Sequence, residues 1–164
     1  MTLLDPNRLF PVDDKTRSVA QSLYKDVCDL PIISPHGHCD PKWFAENEKF
    51  PDPSELFVIP DHYIFRMLVS QGYSLDQLGI GSNKKSNKKI QSHEIWKIFA
   101  NNYYLFRGTP SEMWMNYSFQ VVFGLSKPLN SENGEFCFDF LKGKLSQPDF
   151  LPRALFDKFN IELL

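Results

Sequence analysis

The sequence predicts a predominantly α-helical fold that carries the beginning of an α/β unit. Apolar residues recur at three- and four-residue spacing through most of the chain, and capping signatures open several of those stretches. Two short apolar runs, near Leu30 and near Ile161, read as strands with the helical stretch between them. One strand early, a long helical stretch and a second strand begun is a βα pattern without its continuation. Ile161-Glu162-Leu163-Leu164 stops with no turn or polar tail, so the expectation is an interrupted strand.

Taken in order, Asp13 or Asp14 can cap a helix whose apolar stripe is Val19, Leu23 and Val27. Leu30-Pro31-Ile32-Ile33-Ser34 is short and β-branched, which predicts a buried strand. Asp40-Pro41 pairs an N-cap with a proline at the first helical position and opens a helix over Lys42-Trp43-Phe44-Ala45-Glu46. Asp61 caps a helix that ends at Gly72, with Ile64, Leu68 and Val69 on its apolar face. Gly79 to Lys89 is rich in Gly, Ser, Asn and Lys. Its four lysines lack interleaved aromatics, so a solvated loop is expected rather than a phosphate-binding patch. Ile95, Ile98, Phe99 and Phe106 stand at helical spacing between Ser92 and Phe106. Thr109-Pro110-Ser111-Glu112 is a capping box and Gly124 a stop. Phe136, Phe140 and Leu141 predict a further helix, and Pro152 to Phe159 a last one. Trp43, Trp96 and Trp114 read as core.

A chain of 164 residues is long enough for one domain with a real core. Aromatic residues make up 15% of it, which predicts either a dense core or a surface meant to be covered by more protein. The net charge of −2 gives no electrostatic reason to expect nucleic acid or an anionic membrane as partner. No apolar run reaches the roughly 20 residues of a membrane helix, and Met1 to Pro6 lacks the basic and apolar regions of a signal peptide. Cys28, Cys39 and Cys137 are widely spaced, so reduced thiols in a cytoplasmic protein are expected.

Two clusters could carry chemistry. His36 and His38 are two apart on an extended segment, so both imidazoles can reach one ion, and Gly37 leaves room for close approach. Their place just past the C-terminal end of a strand is where barrel active sites sit. Two ligands are one short of a catalytic zinc site. Cys39 would alternate to the other side, and Asp40 is better explained as a cap. The second cluster is Asp61-His62-Tyr63. Tyr63 suits a proton donor and His62 a contact to a carboxylate or hydroxyl, but a cap followed by the first helical turn would look the same. Arg66, one turn on from His62, suits an anion contact or an ordinary surface ion pair. Arg107 and Arg153 each stand beside a loop and suit carboxylate binding, without a specific signal.

Four segments together resemble the uronate isomerases of the amidohydrolase superfamily. Pro31-Ile32-Ile33-Ser34-Pro35-His36-Gly37-His38-Cys39-Asp40-Pro41 resembles that family's first barrel strand. Pro60-Asp61-His62-Tyr63-Ile64-Phe65-Arg66-Met67-Leu68 resembles its Asp-His-Tyr segment. Tyr104 to Pro110 and Arg153 to Glu162 are also similar, in the same order. The resemblance implies a (β/α)8 TIM barrel with a helical insertion after strand one. Residues 1–40 would hold the N-terminal helix and strand one, 41–145 the insertion, and 146–164 a helix and the start of strand two. Such a barrel needs about 250 residues, so most strands would be absent from this chain. The resemblance further implies His36 and His38 as ligands of a divalent metal, with zinc favoured. By the same resemblance His62 and Tyr63 face the substrate. With Arg66 added for its place one turn on, the expected substrate-binding residues are His62, Tyr63 and Arg66, and Tyr63 is the expected catalytic residue. The implied reaction converts D-glucuronate to D-fructuronate and D-galacturonate to D-tagaturonate. Ser34 and Cys39 depart from the family pattern, which favours an acidic residue and a leucine at those places.

Three expectations compete: an incomplete, inactive piece of the isomerase, a metal-dependent hydrolase of the same superfamily, and a standalone helical binding module. Apolar surface left without its barrel partners also predicts self-association into a homo-oligomer.

Overall fold

The computed structural model describes residues 4–80 and 91–164; most of the expected lysine-rich loop, residues 81–89, lies outside them. Its elements are α1 (Asp14–Lys25), β1 (Ile32–Ile33), α2 (Pro41–Glu46), α3 (Pro53–Phe57), α4 (His62–Val69), α5 (Ser92–Asn101), α6 (Pro110–Tyr117), α7 (Gly134–Leu145), α8 (Pro152–Lys158) and β2 (Ile161–Leu163). The chain divides into two compact units, residues 1–48 with 148–164, and residues 49–147.

The first unit is built on β1 and β2, which pair in parallel with Ile32 opposite Ile161 and Ile33 opposite Leu163, across an irregularity. Ile32 N–H donates to Asn160 O at 2.8 Å and Ser34 N–H to Leu163 O at 2.9 Å, so the pairing runs to the residue just before Pro35. Asp13 caps α1 as its position suggests. Its carboxylate accepts from the Thr16 hydroxyl and the Thr16 amide, and these bonds hold its pKa below the usual carboxylate value. Asp40 caps α2 in the same way, accepting from Lys42 N–H at 2.9 Å with Pro41 at N1. Phe44 of α2 meets Phe156 of α8 edge-on at 5.7 Å. Arg153 closes the other end of α2: its guanidinium donates to Phe44 O and Ala45 O at 2.8 and 3.0 Å, and its amide to Asn47 Oδ1. Two of its three guanidinium nitrogens thereby serve helix carbonyls, which gives the side chain a structural role.

Several expectations about burial fail here. The strand expected to be buried is exposed, with Ile32 at 48% and Ile33 at 62%. The stripe of Val19, Leu23 and Val27 is exposed as well, and Val27 falls beyond the α1 cap at Asp26. The physical reason is the small sheet: among the described residues β1 pairs with β2 alone, and a two-stranded ribbon covers little apolar surface.

The second unit holds the core. Trp96 and Phe99 of α5, Phe106, Phe119, Phe138, Ile64, Leu68, Met115 and Leu141 are all buried. The Trp96 ring meets Phe99, Phe119 and Phe138 at 5.2–6.0 Å, and its indole N–H donates to Gly134 O at 2.8 Å, satisfying the one polar atom it buries. Trp96 is therefore core, whereas Trp43 and Trp114 are partly exposed, contrary to the sequence reading. The 92–106 stretch is α5 followed by a 3₁₀ turn at Tyr103–Phe106 rather than one helix. Helix α4 stops at Val69, three residues before the expected Gly72. Thr109 caps α6 by accepting from Glu112 N–H, while Glu112 reaches back to Gly108 N–H, one residue beyond the usual box. A π-helical turn, Ser118–Val122, continues α6 and ends at Gly124, whose φ of +82° a side chain would resist.

Helix α3 carries no apolar periodicity of its own. Asp52 accepts from Ser54 N–H and Glu55 N–H and from the Ser92 hydroxyl, while buried Ser54 donates to Ser92 O at 2.6 Å. These bonds from the α3 cap and its second residue to Ser92 join the starts of α3 and α5, and only tertiary contact reveals them.

Candidate functional site

The first cluster lies immediately beyond β1. Ser34 is tied twice, by its amide to Leu163 O and by its hydroxyl to His36 O at 2.8 Å, so the strand end and the turn carrying the histidines are fixed together. Residues 36 and 38 consequently fall on one side. Their Nε2 atoms converge to 3.1 Å, with ring planes at 76°. Two nitrogens each about 2.0–2.1 Å from one zinc ion, at tetrahedral to right angles, stand about 2.9–3.4 Å apart. The pair therefore has the bite of a two-imidazole chelate. The same separation suits an N–H···N hydrogen bond in which one ring donates and the other accepts.

No third ligand joins them: among the described residues no group of three or more His, Cys, Asp or Glu could hold a metal. Cys39 is an exposed free thiol, and one Asp40 carboxylate oxygen is occupied by the α2 cap. Sequence reasoning missed the double tether of Ser34. A serine two residues before the first histidine was its only signal.

The second cluster belongs to the other compact unit. Asp61 is the N-cap of α4, accepting from Tyr63 N–H at 2.8 Å, so His62 and Tyr63 occupy the first helical turn as the structural alternative proposed. Capping does not consume their side chains. The His62 and Tyr63 rings lie 4.1 Å apart at 35°, and the Arg66 guanidinium sits 5.3 Å from the centre of the Tyr63 ring. Tyr63 is 56% exposed. Three groups that suit an oxygen-rich anion thus share one exposed face of α4, with the buried Ile64 and Leu68 on the opposite face.

Comparison with known proteins gives these clusters their context. A family profile described as Glucuronate isomerase matches residues 12–164. A uronate isomerase of Brucella suis is 50% identical over 161 residues, and one of Phenylobacterium zucineum 53% identical; each alignment covers 98% of this chain. The chain spans about a third of the length of these relatives (34% and 33%). The crystal structure of glucuronate isomerase from Caulobacter crescentus superposes with a TM-score of 0.92 at 51% identity, over 98% of this chain and 33% of that one. The uronate isomerase structure from Thermotoga maritima gives 0.82 at 27% identity, over 100% and 33%. With a profile match over nearly its whole length and a backbone that follows those structures, the chain belongs to the glucuronate isomerase family.

Proposed function

We propose that this chain supplies the opening strand and the helical insertion of a (β/α)8-barrel uronate isomerase, and with them part of its active site. The single observation that carries the reading is the convergence of His36 and His38 at the C-terminal end of β1, in a chain of this family. In this reading residues 1–40 and 146–164 belong to the barrel and 41–145 to the insertion.

The reaction is an internal redox shift in which a proton moves between adjacent carbons and a hydroxyl and a carbonyl exchange places. No external oxidant is needed. His36 and His38 would hold a divalent metal, with zinc suited to neutral imidazole. When bound, that ion polarises the sugar oxygens and offsets negative charge on them. His62 and Arg66 bind and orient the uronate, Arg66 facing its carboxylate. Tyr63 gives and recovers a proton at a sugar oxygen. The base that takes the carbon-bound proton is assigned to none of these residues, and the 164-residue chain alone is expected to bind metal weakly and turn over no uronate. The substrates are D-glucuronate and D-galacturonate, in the cytoplasm. The exposed stripe of α1 and the faces of β1 and β2 support self-association of the isolated chain. No helix of the described residues is long and apolar enough to cross a membrane.

The test joins residues 1–164 to the C-terminal two thirds of the Caulobacter crescentus protein. The chimera should isomerise both uronates. His36→Ala or His38→Ala should remove bound metal and turnover together, and Tyr63→Phe should keep the metal and lower kcat. A folded chimera that keeps its metal but cleaves amides or esters instead would replace isomerase by hydrolase. One that binds no metal and converts no uronate would leave the helical-module reading in its place.

A further inference from the structure

The second unit contains a cavity of about 290 Å³ that uses none of the residues assigned to isomerisation. It lies between the 3₁₀ turn, α6 and the loop around Leu129, and its polar lining includes Asn101, Tyr104, Arg107, Glu112 and Asn116. The volume lies at the small end of small-molecule sites, and a few polar groups line it together with the apolar Pro128 and Leu129.

The hydrogen bonds already made decide which ligand chemistry remains. Tyr103, buried beside the cavity, donates its hydroxyl to Asn116 Oδ1 at 2.9 Å. Burial first, and the Glu112 charge second, push that phenol well above its ordinary pKa, so it stays a donor. The Asn116 oxygen already accepts one hydrogen bond, and that bond orients the side chain so that its amide nitrogen has two protons to offer. Among the described residues the Arg107 guanidinium has no ion-pair partner, although Glu112 lines the same cavity. One Glu112 oxygen accepts from Gly108 N–H at 2.8 Å and the other remains an acceptor. Donors therefore gather on Arg107 and Asn116, and a separate acceptor stands on Glu112. A bare anion would satisfy the donors and be repelled by the carboxylate, and a neutral polyol would leave Arg107 unpaired. A molecule with a carboxylate at one end and a hydroxyl at the other suits both.

We propose that this cavity binds a small hydroxy-carboxylate, with its carboxylate on Arg107 and the Asn116 amide and a hydroxyl donating to Glu112. The experiment titrates the ¹⁵N-labelled 164-residue protein with D-gluconate, with D-sorbitol as the uncharged comparison and inorganic phosphate as the bare anion. Gluconate should shift the Gly108 and Asn130 amides and the Asn116 side-chain signals to saturation, while sorbitol and phosphate leave them in place. Arg107→Gln should weaken gluconate at least about tenfold, the loss expected of one charge-assisted hydrogen bond. Asn116→Asp keeps the oxygen that accepts from Tyr103 but replaces the donors with a repelling charge, and should weaken it as much. Unperturbed signals elsewhere establish that each variant is folded. The proposal falls if gluconate gives no saturable shift at tens of millimolar. It falls equally if sorbitol or phosphate binds as well, or if both folded variants bind like the parent.

Discussion

Replacing Gly134 by alanine tests how closely α5 and α7 approach. A Cβ on Gly134 would stand 2.6 Å from the Ala100 Cβ, whereas carbons in good contact sit about 3.5–4.0 Å apart. The helices would have to separate by roughly 1 Å. The same movement would stretch the 2.8 Å bond from the Trp96 indole to Gly134 O. Overpacking of this kind costs about 1–3 kcal/mol, offset by about 0.4–1 kcal/mol because alanine restricts the unfolded chain. The net expectation is a loss of about 1–2 kcal/mol, or a Tm lower by roughly 2–8 °C for a chain of this size. Urea unfolding followed by circular dichroism and by tryptophan fluorescence measures it. Ala100→Gly removes the opposing methyl, so Gly134→Ala in that background should cost little, giving a coupling of at least about 1 kcal/mol. A single variant within about 0.5 kcal/mol of the parent, or an unchanged cost in the Ala100→Gly background, would refute the close-approach argument.

The remaining predictions concern the thiols and the histidine pair. Cys28 and Cys39 are exposed while Cys137 is buried, and burial pushes the Cys137 thiol from 9.0 up to about 11. At neutral pH two thiols should therefore react quickly with a disulfide reagent and the third only on unfolding; fast reaction of all three would show that α7 is not packed as described. The folded state holds the Cys137 proton more tightly than the unfolded chain does. Its contribution to stability is full below pH 9.0 and is lost as pH rises through about 11. Cys137→Ala should flatten that alkaline slope, which pH-dependent urea midpoints would read. For the histidines, calorimetric titration of the chain with zinc should give one weak site per chain. His36→Ala and His38→Ala should each abolish it, because either leaves a single ligand. Undiminished binding after either change would move the site elsewhere.

The sequence by itself determined what depends on short-range physics. Asp13, Asp40, Asp61 and Thr109 cap the helices at which they stand, since a cap needs only its own first turn. The placing of His36 and His38 on one side is equally local, since residues two apart beyond a strand end share a side, and the Ser34 hydroxyl on His36 O fixes the turn that carries them. The four matched segments, in order, likewise placed the chain in its family without coordinates. Tertiary structure decided what depends on neighbours distant in sequence. Arg153 gained a structural role on the carbonyls of Phe44 and Ala45, more than a hundred residues away. Trp96 became core while Trp43 and Trp114 stayed partly exposed, though composition treats all three alike. The stripe on α1 and the two isoleucines of β1 have the pattern of buried residues and are exposed. Periodicity tells which face of an element is apolar, and only the elements packed against that face remove it from water.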